Sequence, residues 1–208
     1  CPGEYTINRT WSATDNCGNS SSCVQNISVI DTILPTLIGV PADATVPCDN
    51  IPAPATVTAT DNCDTNMVVL FSEVNNVISG CGTITRTWTS TDYCGNTISG
   101  TQVLTVIDTV APVITCPADL TIDCHGDSSY LVTGIATAVD NCDTVPSITY
   151  VDNYTPGPCP GEYTINRTWT ATDNCGNSST CVQNISVIDT ILPTLIGVPA
   201  DATVPCDN

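Results

Sequence analysis

The sequence predicts an all-β architecture of tandem sandwich modules, stapled by disulfides and strung into an extended rod. Three observations carry this. First, the chain repeats itself: residues 159–208 restate residues 1–50 with two changes, Ser12 to Thr170 and Ser22 to Thr180. A shorter period lies inside that one, because Arg9-Thr10-Trp11 returns as Arg86-Thr87-Trp88 and Arg167-Thr168-Trp169. A period of this size marks an array of like modules. Second, Thr supplies 34 of the 208 residues and sits among Val and Ile, a composition that fits strands. No stretch has helical periodicity. Third, 14 cysteines in such a chain point to an oxidising, extracellular setting.

The segments Asp31-Thr32-Ile33-Leu34-Pro35, Asp108-Thr109-Val110-Ala111-Pro112 and Asp189-Thr190-Ile191-Leu192-Pro193 divide the chain. Each follows an apolar strand, and its proline stops pairing from running on. The expected divisions are the C-terminal half of a module (1–31), complete modules at 32–108 and 109–189, and the N-terminal part of a further one (190–208). On this reading the sequence is a window of a longer array.

Within 32–108 the strand signals are short and evenly spaced: Ala44–Val46, Ala55–Ala59, Met67–Phe71, Thr83–Trp88 and Thr101–Ile107. This is the pattern of an immunoglobulin-like sandwich of about seven strands. In the Trp strand Ile84, Arg86, Trp88 and Ser90 share the core face, and Thr83, Thr85, Thr87 and Thr89 the outer one. Two fates for Arg86 follow. Its stem packs on Trp88 while the head reaches water, or the guanidinium pairs with a carboxylate such as Glu73. The first is the expectation.

Alignment of the modules sorts the cysteines into classes: Cys48, Cys124 and Cys206; Cys63 and Cys142; Cys1, Cys81 and Cys159; Cys17, Cys94 and Cys175; and Cys116 with Cys181. In an immunoglobulin-like topology the first and third classes lie at one end of the sandwich, the second and fourth at the other. That geometry predicts Cys48–Cys81, Cys124–Cys159, Cys63–Cys94 and Cys142–Cys175. Cys116 and Cys181 are present together in one module and replaced together by Val40 and Gly100 in the other, which predicts their pairing. Zinc is rejected, because no CxxC pair exists and the one histidine, His125, stands outside any ligand cluster.

The net charge is −18, from 21 acidic residues against three Arg and no Lys. Nucleic acid and anionic membrane surfaces need clustered cations and are excluded as partners. Carboxylates recur in two loops, Asp61 with Asp64 and Asp92 in one module, Asp140 with Asp143 and Asp173 in the next. The linker residues Asp31 and Asp108 enter at the same end. Ca²⁺, in a structural role, is the cofactor such oxygen clusters suit. Turn formation by Asp and Asn alone is the rival reading and the one the residues favour. There is no phosphate loop, nucleophile elbow or His-Glu helix motif, so no catalytic cofactor and no enzyme is expected.

The run Thr-Arg-Thr-Trp-Thr-x-Thr-Asp-x-Cys-Gly-Asn, then Gln-x-Leu-Thr-Val-Ile-Asp-Thr-x-x-Pro and Ala-Thr-Asp-Asn-Cys-Asp, resembles the hyalin-repeat (HYR) type of immunoglobulin-like module. It is most similar to the tandem copies in giant cell-surface adhesins of the Bacteroidota, including SprB-like gliding-motility adhesins. The resemblance implies secretion to the cell surface and a part in adhesion or surface filaments. The partners it implies are an extracellular surface, glycans or other adhesin chains, with no membrane insertion in this segment. Self-assembly into a fibre and glycan binding by avidity are the alternatives. Asp-Thr-Ile/Val also looks like the O-glycosylation motif of these bacteria, at Thr32, Thr109, Thr144 and Thr190.

Overall fold

A computed structural model describes residues 1, 4–204 and 206. Among these residues, fourteen strands and a single helical turn make up the regular structure. The chain divides into two compact units. One holds residues 1–110 with the loops 141–144 and 173–177; the other holds 111–140, 145–172 and 178–208.

The first unit opens with a hairpin, β1 (Tyr5–Thr14) against β2 (Ser20–Val29), in unbroken register from Tyr5↔Val29 to Thr14↔Ser20. A sandwich follows. In one layer β3 (Thr36–Ile38) pairs antiparallel with β5 (Thr58–Thr60). In the other the order is β4-β8-β7-β6, with β4 (Ala44–Pro47) parallel to β8 (Thr97–Ile107). The remaining neighbours, β7 (Gly82–Thr91) and β6 (Val69–Asn75), are antiparallel. β-branched residues favour these extended runs because their χ1 stiffness fits a pleated surface. Side chains alternate with period two, so Ile84, Arg86, Trp88 and Ser90 are buried while the threonines between them lie outward. Ile84, Leu104 and Val106 form the apolar centre, with Val46, Cys48 and Val77 packed on it.

The second unit repeats the plan. β9 (Val113–Thr115) pairs with β11 (Thr137–Val139). The larger sheet runs β10-β14-β13-β12, from Leu120–Asp123, Ser178–Ile188, Tyr163–Thr172 and Ser147–Pro156 respectively. Ile165, Ile185 and Val187 are its apolar centre. The turn α1 (Tyr130–Thr133) presents Tyr130 to Tyr150, which in turn meets Trp169, with ring centroids 5.5 and 5.1 Å apart.

Two expectations are corrected here. The sandwiches have six strands, not about seven; in the first, β6 and β7 are joined directly by a tight turn. Ile78 pairs with Cys81 across Ser79 and Gly80, both at positive φ (44° and 89°), the backbone a two-residue hairpin requires. And the Arg86 head does not reach water. Cross-strand register places it opposite Glu73. Its Nε lies 2.8 Å from Glu73 Oε2, and Nη2 donates to the Pro52 carbonyl at 2.7 Å. Arg167, its counterpart, is more fully enclosed. It donates to both Asp152 oxygens at 2.7 and 2.8 Å, to Thr133 Oγ1 and to the Ser128 carbonyl. Its guanidinium also lies 4.7 Å from the Tyr150 ring centre. A buried cation needs this many partners, since each unmet donor would carry a desolvation cost.

Candidate functional site

The loops that follow β5 and β7 are shaped by their own carboxylates. Asp61 Oδ1 accepts from the Cys63 and Asp64 amides at 2.9 and 3.1 Å. Asp92 Oδ1 accepts from the Asn96 amide at 2.8 Å, and its Oδ2 from Asn96 Nδ2 at 2.7 Å, around Gly95 at φ 91°. The same Asn96 amide group donates to the Asp31 carbonyl at 3.3 Å, tying the linker to the turn. Asp31 Oδ1 caps the Ile33 amide.

These turns bring three carboxylates together. Oxygens of Asp31, Asp61 and Asp92 all lie within 4.8 Å of one another. Asp31 is 9 % exposed and Asp92 6 %. Asp31 Oδ2 and Asp61 Oδ2 are buried with no hydrogen-bond partner. Burial opposes ionisation of Asp92, yet the Asn96 side chain and the backbone amides of Asn96, Cys94 and Gly95 outweigh it and hold the carboxyl below its usual range. The nearby Cys63 thiol is pushed up, first by burial and then by the negative charges of Asp31, Asp61 and Asp92. Hard, anionic, partly unsatisfied oxygens are the donors Ca²⁺ takes, and these residues fit that ion.

Asp64 stands outside the trio. Its oxygens accept from the Asn66 and Tyr93 amides at 3.0 and 3.3 Å, so it braces one loop on the other. Asp143 does the same with the Asn174 amide at 3.0 Å. Asp173 repeats the pattern of Asp92, accepting from the Asn177 amide and side chain, and Asn177 donates to the Asp108 carbonyl at 3.0 Å. Asp140 is the sequence counterpart of Asp61 and belongs to the second unit. Thr32, Thr109, Thr144 and Thr190 are all exposed. The Thr190 hydroxyl donates to Asp123. His125 is an exposed loop residue whose amide also donates to Asp123.

The cysteines pair otherwise than the topology predicted. The bonds are Cys1–Cys94, Cys48–Cys142, Cys81–Cys175 and Cys116–Cys181. Cys48–Cys81, Cys63–Cys94, Cys124–Cys159 and Cys142–Cys175 do not form. Sharing one end of a sandwich is a weak condition, whereas a cystine needs Cα atoms about 4.4–6.8 Å apart. The loops 141–144 and 173–177 bring Cys142 to 6.2 Å from Cys48 and Cys175 to 5.7 Å from Cys81. Gly80 makes room for this: a Cβ there would stand 2.7 Å from the Cys142 Cβ. Three bridges span 93 or 94 residues, more than one repeat, so each joins a cysteine to the class found in the next repeat. This rule accounts for the free cysteines. Cys17, Cys63, Cys124, Cys159 and Cys206 are unbridged, and the partner each would need by this rule falls in a repeat that the sequence does not include at that position. Cys23 lacks a counterpart of Cys116.

Residues 37–106 match a family model described as an HYR-like domain with 4 cysteines. That range holds Cys48, Cys63, Cys81 and Cys94. A search of curated proteins returned no match. Among solved structures the chain is similar to Drosophila N-cadherin EC1-3, at 16 % identity over 81 % of this chain and 74 % of that one, TM-score 0.30. It is also similar to protocadherin gamma B2 extracellular cadherin domains 3–6 (13 %, 90 % and 61 %, TM-score 0.38). A third is protocadherin gammaB7 EC3-6 (18 %, 94 % and 62 %, TM-score 0.37). The chain thus spans about three fifths of both protocadherin chains. Among the described residues no helix is long and apolar enough to cross a membrane.

Proposed function

We propose that this chain is a segment of an extracellular, cell-surface adhesin stalk. Its repeats act as spacers that carry adhesive surface and transmit force, and they perform no catalysis. The observation that carries the reading is the HYR-like match over one repeat whose cysteine classes recur along the chain. Extracellular placement is supported by the four disulfides, which persist in an oxidising compartment. The charge of −18 favours mutual repulsion of stalks over lateral packing.

Structural Ca²⁺ is part of the proposal. Asp31, Asp61 and Asp92 would hold it, linking the linker to two loops of one sandwich. When bound, the ion supplies positive charge to three clustered carboxylates. The O-glycans at Thr32, Thr109, Thr144 and Thr190, and a role in gliding, belong to the same proposal and rest on the family resemblance.

Antibody raised against residues 32–108 and applied to live, intact source cells tests it. Surface fibres bearing the label are the expected result, and fibres that travel along the cell would place the stalk in gliding. Label confined to the medium or to the cell interior overturns the surface-stalk reading.

A further inference from the structure

The disulfides lay down a covalent path that differs from the order of the chain. Cys81 and Cys94 bracket β7, the Trp strand, and Cys159 and Cys175 bracket its counterpart β13. Starting at Cys1, the shortest covalent route crosses to Cys94, runs backwards along β7 to Cys81, and crosses to Cys175. From there it runs forward through β14 to the end of the chain. The rest of the first sandwich lies off this shortest route.

We infer that β7, the Trp strand, is the tension-bearing element of the first sandwich, and that the bridges leave the chain little length to gain under load. A strand already rises about 3.3 Å per residue, against a limit of roughly 3.6 Å. The 13 residues from 81 to 94 therefore have only about 4 Å of slack. Pulling cannot feed the sandwich into the line of force, because the sandwich is not in series with the load. β7 is suited to this place: it is an interior strand, hydrogen-bonded to β6 on one side and β8 on the other.

The Cys48–Cys142 bridge supplies a second, longer route in parallel. Cys116–Cys181 opens a third route, 22 residues from 94 to 116 and 27 from 181 to 208, only slightly longer than the first. The inference rests on bond connectivity and is independent of the adhesin reading.

The test is single-molecule pulling of the full 208-residue chain through peptide tags at its two ends, with free thiols blocked beforehand. With bridges intact the route comprises 13 residues (94 to 81) and 33 (175 to 208). The fully stretched length is then about 170 Å at ~3.6 Å per residue. After reduction with a phosphine it rises to about 750 Å, a gain of more than fourfold. In a chain carrying Cys116→Ser and Cys181→Ser, which closes the third route, the length is expected to stay near about 170 Å, and adding Cys81→Ser with Cys175→Ser diverts the load through Cys48–Cys142 to about 400 Å. An unreduced length well above about 200 Å, or a variant lacking all four of these cysteines that stays near about 170 Å, overturns the inference. Should the variant not fold, a peptide map of the unreduced wild type decides alone. Cys81 joined to Cys175 and Cys1 to Cys94 supports the path, and Cys81 joined to Cys48 overturns it.

Discussion

Arg86 and Arg167 occupy one position of the repeat, and their surroundings set what each contributes. Arg167 meets five acceptors or faces, and Asp152 is itself mostly buried. Removing Asp152 leaves an uncompensated cation inside, so Asp152→Ala is expected to cost about 3–5 kcal/mol, read by urea unfolding. Glu73 is a third exposed, and solvent screens its pair, so Glu73→Ala should cost about 1 kcal/mol or less. Asp92 gives a pH signature. Its folded carboxyl lies below the ordinary value. It therefore contributes stability that is present above the unfolded pKa and lost as pH falls through the folded one. Stability is expected to drop on acidification below about pH 4, where an ordinary carboxyl begins to protonate. Asn96→Ala, which removes the side-chain donor, should flatten that drop in unfolding curves taken at pH 6 and pH 3. The inward placement of Ile84, Arg86, Trp88 and Ser90 is legible in the sequence because a strand's period is two. The fate of the guanidinium is not, because the register of β6 against β7 decides which carboxylate stands opposite.

At the scale of elements, the loops after β5 and β7 matter most. Three clustered carboxylates repel one another, and a divalent cation relieves this, so added Ca²⁺ is expected to raise Tm and excess chelator to lower it. Asp31→Asn with Asp61→Asn should abolish the Ca²⁺ response. A chelator-insensitive Tm in the unaltered chain removes Ca²⁺ from the proposal. The packing of β8 on the segment after β3 gives a second prediction. A Cβ on Gly100 would stand 2.9 Å from Val40 Cγ2, so the valine occupies the space that the Cys116–Cys181 bridge fills in the other sandwich. Gly100→Ala alone should destabilise by about 1–3 kcal/mol through overpacking. Val40→Cys with Gly100→Cys should form a bridge and add about 2–4 kcal/mol, seen as a reductant-sensitive Tm. The joint replacement of the two cysteines is visible in the sequence; that Val40 and Gly100 are a fitted pair is not.

For the whole molecule, the bridges predict how it comes apart. Cys48–Cys142 and Cys81–Cys175 straddle the linker at 108–112. A site-specific protease sequence inserted after Val110 should yield, once cut, a product that runs as one band without reductant and as two with it. Pairing confined to single repeats would give two bands in both lanes.

The sequence by itself determined the all-β class, the repeat period, most of the strands, the buried face of the Trp strand and the sorting of cysteines into classes. All of these depend on local period or on internal self-comparison, which a chain displays along its own length. Only the tertiary structure decided which classes bond, that Asp31 joins Asp61 and Asp92 while Asp64 braces a loop, and that Arg86 pairs with Glu73. Those outcomes depend on distances of a few ångströms between residues tens of positions apart. Such distances arise from strand register, from a tight β6–β7 turn, and from loops of one repeat folding into the unit of another.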